Sequence, residues 1–296
     1  MLFRSNVESP AEAAAISEVA RSMSRTARVS VRTNPDVDPK THPYISTGTK
    51  KNKFGVGLDS AAGLYQQLAS LPYIEIVGVS CHIGSQITEL GPYQEALASL
   101  RQFVSGLKKS GVNLRYLDFG GGLGISYNAE EPPSPAEYAQ IITRETRDLG
   151  LTLILEPGRV IVGNAGILLT RVLFRKDQIA KRFVIVDAAM NDLIRPALYG
   201  SHHQIWPVHE TAGAAKECVD VVGPICESAD FLAQDRELAP VKSGDLLAVM
   251  SAGAYGFSQS SNYNSRPKAA EVLVSGDEFS VIGRRETYED LIRLEA

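Results

Sequence analysis

Residues 114–124 read LRYLDFGGGLG: an apolar, β-rich run from Tyr116 to Phe119 that breaks into Gly120, Gly121, Gly122, Leu123 and Gly124. A short run of this kind bounded by glycine reads as a strand ending in a loop. Consecutive glycines let the backbone take positive φ and bring its N–H groups close to an anion. Downstream, Ser134, Pro135 and Glu137 supply an N-cap, a first-turn proline and a capping-box acid, and predict a helix to Leu149. A second strand, Leu151 to Leu155 (LTLIL), follows and ends in Glu156-Pro157-Gly158-Arg159. Upstream, a helical pattern over Tyr93 to Lys109 is preceded by the strand-like Ile74 to Ser80 (IEIVGVS), which runs into His82 to Gln86 (HIGSQ). Further back lie Asp59 to Ser70 as helix, Ala27 to Arg32 as strand and Ser9 to Met23 as helix, opened by Ser9, Pro10 and Glu12. Strand and helix in alternation are βα units around a parallel sheet, as in an α/β barrel.

Past residue 165 the rhythm changes. Leu168 to Phe174, Phe183 to Val186, Cys218 to Val222, Leu246 to Val249, Ala270 to Val274 and Phe279 to Ile282 are strand-like runs separated by turn residues. With a short closing helix over Thr287 to Glu295, they predict a mostly antiparallel sheet domain. The division falls into residues 1–164 and 165–296, with no fixed-period repeat and no low-complexity linker.

At 296 residues the chain is long enough to bury about three quarters of its unfolded surface. Its 44% hydrophobic and 22% charged residues are ordinary globular usage, which excludes global disorder. A net charge of -4 with scattered Lys and Arg leaves no footprint for nucleic acid. Cys81, Cys218 and Cys226 form no CxxC pair and favour a reducing compartment. No apolar run reaches the roughly 18 residues of a membrane span. The opening MLFRSNVESP has no apolar core before a cleavage site, so the expectation is a cytoplasmic protein without a membrane partner.

Three loops at strand ends carry chemistry. The GGGLG loop lacks the Lys-Ser/Thr of a P-loop and does not match GxGxxG, so a phosphate fits it better than an adenine dinucleotide. Glu156 is suited to a protonated ring nitrogen and Arg159 to a phosphate or carboxylate, although a charged turn with its own salt bridge has the same sequence. His82 can stack on an aromatic ligand and Ser85 can bond a phosphate; a histidine satisfied in the core is the plain alternative. Anion-suited loops on successive strands of one sheet favour a site at the end where α/β barrels place theirs. His42, His202, His203 and His209 form no HExxH or compact ligand set, so no metal is expected, and the pair His202-His203 is expected at the surface. Cys226 beside Glu227 is either a proton donor or an inert thiol. Residues 191–199 (NDLIRPALY) and 251–266 are polar, Tyr- and Asn-rich, and read as site loops.

In this order, RTNPDVDPKTHPYISTG, KFG, HIGSQ, DFGGGLG, EPGR, VDAAMNDLIRPALYG, GPICESAD and GAYGFSQSSNYNSRP resemble the blocks of the diaminopimelate decarboxylases. These are pyridoxal-phosphate (PLP) barrel decarboxylases, a group that also includes the ornithine and arginine enzymes. The resemblance runs over nearly the whole chain. It implies a TIM-type α/β barrel that carries PLP, then a β-sandwich-like domain, in a homodimer with shared active sites. It implies that His82 stacks on the cofactor and that Glu156 pairs with the pyridine nitrogen. Ser85, the backbone of Gly120, Gly121 and Gly122, Gly158 with Arg159, and Tyr255 would hold the phosphate. Arg159, Arg195, Tyr199 and Tyr255 would face the substrate meso-diaminopimelate, with the distal carboxylate on the arginines and Tyr199 and the distal ammonium on Glu227. Cys226, supplied with Glu227 by the partner subunit, would protonate the carbanion to give L-lysine. A diamine-forming relative has no second carboxylate for Arg195 to meet, so Arg195 favours diaminopimelate over ornithine or arginine.

One block of the family is not matched. Its Schiff-base lysine lies in a YALKAN-like segment upstream of an FNVES-like block, and this chain starts inside the latter, at Leu2 to Ser9. None of the eleven lysines, Lys40, Lys50, Lys51, Lys53, Lys108, Lys109, Lys176, Lys181, Lys216, Lys242 and Lys268, stands in that context. The expectation is an incomplete barrel holding strands four to eight, begun by the fragment MLF, with negligible turnover by this chain alone. Two other readings stay open: a non-catalytic homologue that dimerises with and regulates a decarboxylase, and an ornithine or arginine decarboxylase relative.

Overall fold

The computed structural model describes residues 5–48, 52–209 and 213–295; the fragment MLF and Lys50 and Lys51 lie outside them. The chain divides into two compact units, one made of residues 1–126 and 130–160, the other of residues 127–129 and 161–296.

The first unit runs β1 (Ser5–Val7), α1 (Pro10–Ser22), β2 (Ala27–Asn34), β3 (Val56–Gly57), α2 (Leu58–Ser70), β4 (Ile74–Cys81), α3 (Gly91–Lys109), β5 (Tyr116–Asp118), α4 (Pro135–Thr146), β6 (Thr152–Ile154) and the single turn α5 (Arg159–Val162). The strands form a parallel sheet in the order β1-β2-β4-β5-β6, with β3 also on β2. Val79 pairs with Leu117 and Leu117 with Leu153, so consecutive strands end side by side. A sheet covered by crossover helices is buried on both faces, which is why β4 reads as an almost unbroken apolar run. Helix α3 buries Tyr93, Ala96, Leu97, Leu100, Val104 and Leu107, one stripe at helical spacing. Each of its fully buried leucines contributes about 2 kcal/mol by leaving water.

Both helix starts read from the sequence are present, with one difference. Ser134 and Glu137 close a reciprocal capping box. At Ser9 the hydroxyl accepts from the Glu12 amide, but the Glu12 carboxylate takes the amide of Glu8 instead of that of Ser9. Helix α4 stops at Thr146 and tightens into a 3-10 turn over Arg147–Leu149, three residues short of the α-helix expected.

The second unit holds β7 (Leu168–Asp177), β8 (Arg182–Val186), α6 (Arg195–Tyr199), β9 (Ile205–Pro207), β10 (Glu217–Val222), β11 (Phe231–Leu238), β12 (Leu246–Val249), β13 (Glu271–Ser275), β14 (Glu278–Gly283) and α7 (Tyr288–Ile292). Six strands line up as β11-β10-β8-β7-β12-β9, and β13 and β14 form a separate hairpin. All pairs are antiparallel except β8 with β10. Strand β7 serves both halves of the sheet: Leu168 to Arg171 pair with β12, while Val172 to Asp177 pair with β8, with a register shift after Val172. A strand that changes partners at an irregularity is how one sheet folds over a common core. Val172, Val184, Val221, Leu232, Leu247 and Val249, drawn from both halves, make that core. Strands β9 and β11 and helix α6 were not apparent in the sequence. Among the described residues no helix is long and apolar enough to cross a membrane.

Candidate active site

In the first unit, three chain segments leave the C-terminal ends of adjacent strands and interlock. His82 and Ser85 follow β4, Gly120 to Gly122 follow β5, and Glu156 to Arg159 follow β6. Asp118, buried at the end of β5, accepts from the Gly120 amide at 3.1 Å and from Asn6 Nδ2 at 3.3 Å, which ties the glycine loop to β1. Gly120 and Gly122 have φ of +66° and +106°, the left-handed region that glycine enters without steric cost. A Cβ on Gly121 would collide with the Glu156 carbonyl oxygen, so the loops after β5 and β6 are in direct backbone contact. The Glu156 amide donates to the Gly120 carbonyl at 2.7 Å.

The amide of Gly121 donates to His82 Nδ1 at 3.2 Å. Nδ1 therefore carries the lone pair and the ring proton sits on Nε2. Burial pushes the His82 pKa down to about 4, helped by the Arg32 cation and opposed by Asp118, so the ring is neutral at pH 7. Arg159, 6% exposed, donates from Nη2 to Ser85 Oγ at 2.9 Å and links the loop after β6 to that after β4. The cofactor-site candidates of this unit, His82, Ser85, Gly120 to Gly122, Glu156, Gly158 and Arg159, thus stand in one cluster of three loops.

In the second unit the candidates stand on separate supports. Arg195 and Tyr199 are the first and last residues of α6. The Tyr199 hydroxyl accepts from Gln259 Nε2 at 3.4 Å. Cys226 and Glu227 are exposed in the turn between β10 and β11. Glu227 accepts from the Tyr263 hydroxyl at 2.7 Å, and this carboxylate raises the Tyr263 pKa. Tyr255 is half exposed at a positive φ of 58°. His203, expected at the surface, is instead fully buried, because Arg195 and the Met250 carbonyl satisfy its two ring nitrogens. Tyr127, whose ring carries the Arg195 guanidinium, and Tyr263, which donates to Glu227, are neighbours of these candidates that the sequence did not single out; Tyr263 lies in a run already conspicuous for Tyr and Asn.

The three-loop cluster fits PLP. Where a Cβ of Gly158 would stand there is open space within 4 Å, beside the buried cationic Arg159, and the Glu156 side chain is exposed at the same strand end. A cation beside the open space at Gly158 for a phosphate, a neutral imidazole for a ring face and a carboxylate for a ring nitrogen are the groups this cofactor needs. Among the described residues no group of three or more His, Cys, Asp or Glu converges as a metal site.

Residues 3–163 match the family model described as "Pyridoxal-dependent decarboxylase, pyridoxal binding domain". The diaminopimelate decarboxylase of Aquifex aeolicus is 50% identical over 288 residues, which cover 97% of this chain and 68% of that protein. That of Pseudomonas aeruginosa is 52% identical over 286 residues, again 97% and 68%. The crystal structure of diaminopimelate decarboxylase from Helicobacter pylori complexed with L-lysine superposes with a TM-score of 0.93 at 46% identity, over 98% of this chain and 72% of that one.

Proposed function

The chain belongs to the diaminopimelate decarboxylases, PLP-dependent carboxy-lyases that turn meso-2,6-diaminopimelate into L-lysine and CO2, and from that membership we propose a role for each residue of the two units. PLP, when bound, supplies an electron-accepting ring for the pair left behind as CO2 departs. His82 offers its neutral ring as a stacking face, fixed in orientation by the Gly121 amide. Ser85, the Gly122 amide of the Gly120 to Gly122 loop, Gly158, Arg159 and Tyr255 hold the phosphate, whereas the Gly120 and Gly121 amides, expected to do so from the sequence, are engaged by Asp118 and His82. Glu156 would keep the pyridine nitrogen protonated by accepting a charge-assisted hydrogen bond from its N–H. Arg159, Arg195, Tyr199 and Tyr255 contact the substrate, with the distal carboxylate on Arg195 and Tyr199. Glu227 takes the distal ammonium, and Cys226 delivers the proton that replaces CO2. We assign Cys226 and Glu227 to the partner subunit's substrate in a homodimer, and place the protein in the cytoplasm. The parallel sheet reads as an arc of an α/β barrel within residues 1–164, and the second sheet as a sandwich-like domain over residues 165–296.

The interlock of the three loops after β4, β5 and β6 is the observation that carries this reading, above all the Arg159 to Ser85 bond. Its test is a titration with PLP and with pyridoxal, which lacks the phosphate. PLP should bind at least about tenfold more tightly, and Arg159→Met should remove most of that difference. Equal binding of the two would refute the phosphate assignment.

A further inference from the structure

Two uncharged side chains contact the guanidinium of Arg195. Its carbon lies 4.4 Å from the centre of the Tyr127 ring, and its Nη1 lies 2.7 Å from Nε2 of His203. Nδ1 of His203 is 2.8 Å from the Met250 carbonyl oxygen. A carbonyl only accepts, so the imidazole proton is on Nδ1, and Nε2 presents a lone pair to an Arg195 N–H. Burial and the Arg195 charge both favour the neutral ring and depress its pKa to about 4. The imidazole also packs edge-on against Tyr127, with centroids 5.2 Å apart at 74°. Its own backbone carbonyl accepts from Arg236 Nη1 at 2.6 Å, which fixes the segment that carries it. Arg195, His203 and Tyr127 are all buried, at 4%, 0% and 6% exposure.

We propose that His203 and Tyr127 are positioning residues that hold the Arg195 guanidinium for the carboxylate that meso-diaminopimelate keeps as it becomes L-lysine. They thereby set the preference for that amino-acid end over a bare amine. The proposal rests on the reading that Arg195 binds this carboxylate. An arginine normally loses several rotors when it clamps a ligand; here a planar face and a lone pair have ordered it in advance. Neither neighbour carries negative charge, so neither cancels the attraction for a carboxylate as an aspartate in the place of His203 would.

The test measures binding of L-lysine and of 1,5-diaminopentane, the same chain without the carboxylate, to the PLP-saturated protein by calorimetry. Arg195→Met checks the underlying reading: it should abolish the preference for L-lysine. If it does not, that reading fails and the positioning role falls with it. With that reading in place, His203→Phe, which keeps a ring but neither nitrogen, should weaken L-lysine about tenfold and leave diaminopentane unchanged. His203→Gln, with a donor and an acceptor on one planar group, should stay within about threefold of the parent. Tyr127→Leu should show the same selective loss as His203→Phe, and it carries the test if the phenylalanine variant does not fold. Equal weakening of both ligands, or unaltered L-lysine binding in His203→Phe and Tyr127→Leu, would overturn the proposal.

Discussion

The Gly121 amide and His82 Nδ1, 3.2 Å apart, join the loop after β5 to the end of β4 and decide which imidazole nitrogen carries the proton. With its pKa down at about 4, the ring presents a neutral aromatic face and an Nε2–H at pH 7. The Gly121 amide thus sets the tautomer, while burial and the Arg32 cation set the charge.

Gly121→Ala tests that loop. The new methyl group would meet the Glu156 carbonyl, a backbone atom that cannot rotate away, so the loops after β5 and β6 must separate. The expected cost is about 1–3 kcal/mol of stability, with PLP affinity lowered at least about tenfold. Thermal melts and PLP absorbance titration check both; unchanged PLP binding would refute the loop's role.

Glu156→Gln separates cofactor binding from chemistry. An amide cannot keep the ring nitrogen protonated, so the catalytic rate should fall at least about a hundredfold while PLP still binds. Loss of PLP in proportion to rate would make Glu156 a structural residue instead.

The strand-end loops were legible in the sequence because their signal is local: glycine, proline and charged residues crowd into a few positions directly after an apolar run. The stripe of α3 was legible for the same reason. Strand β11 was not, since Gln234, Asp235, Arg236 and Glu237 interrupt its apolar pattern. The structure shows a register irregularity there, with Val219 facing Arg236 but Val221 facing Ala233, and Asp235 at a positive φ of 46°. Strand β9 is three residues long with an exposed Trp206 and carries no period. The burial of His203 was equally hidden, because its partner Met250 is 47 residues away and a backbone carbonyl leaves no trace in the residue type. The reading of the second unit's site residues came from resemblance and from polar composition, not from spacing.

Stability should fall on acidification through His203. Its folded pKa, about 4, lies below its ordinary value near 6.5, so the unfolded chain binds the proton more readily between these values. The native state is therefore destabilised progressively as pH drops from about 6.5 to 4, by on the order of 2 kcal/mol, and is indifferent to this group above 6.5. Urea unfolding of wild type and His203→Gln at pH 7.5 and 4.5 checks it: the variant should lose less stability between the two. Equal losses would contradict the buried neutral imidazole.

Cys226→Ser tests the proton donor. The thiol is exposed, so its replacement should leave the fold intact. The rate should drop about a hundredfold with KM little changed, because a serine hydroxyl is a far weaker acid. A shift in KM alone would move Cys226 from proton delivery to substrate contact.

The reaction is settled by CO2 release from meso-diaminopimelate, L-ornithine and L-arginine with PLP present, measured on the chain joined behind a lysine-bearing segment of the kind the resemblance implies. The expected result is CO2 from meso-diaminopimelate with an equal amount of L-lysine, and none from the other two. CO2 from ornithine or arginine with diaminopimelate left untouched would contradict it.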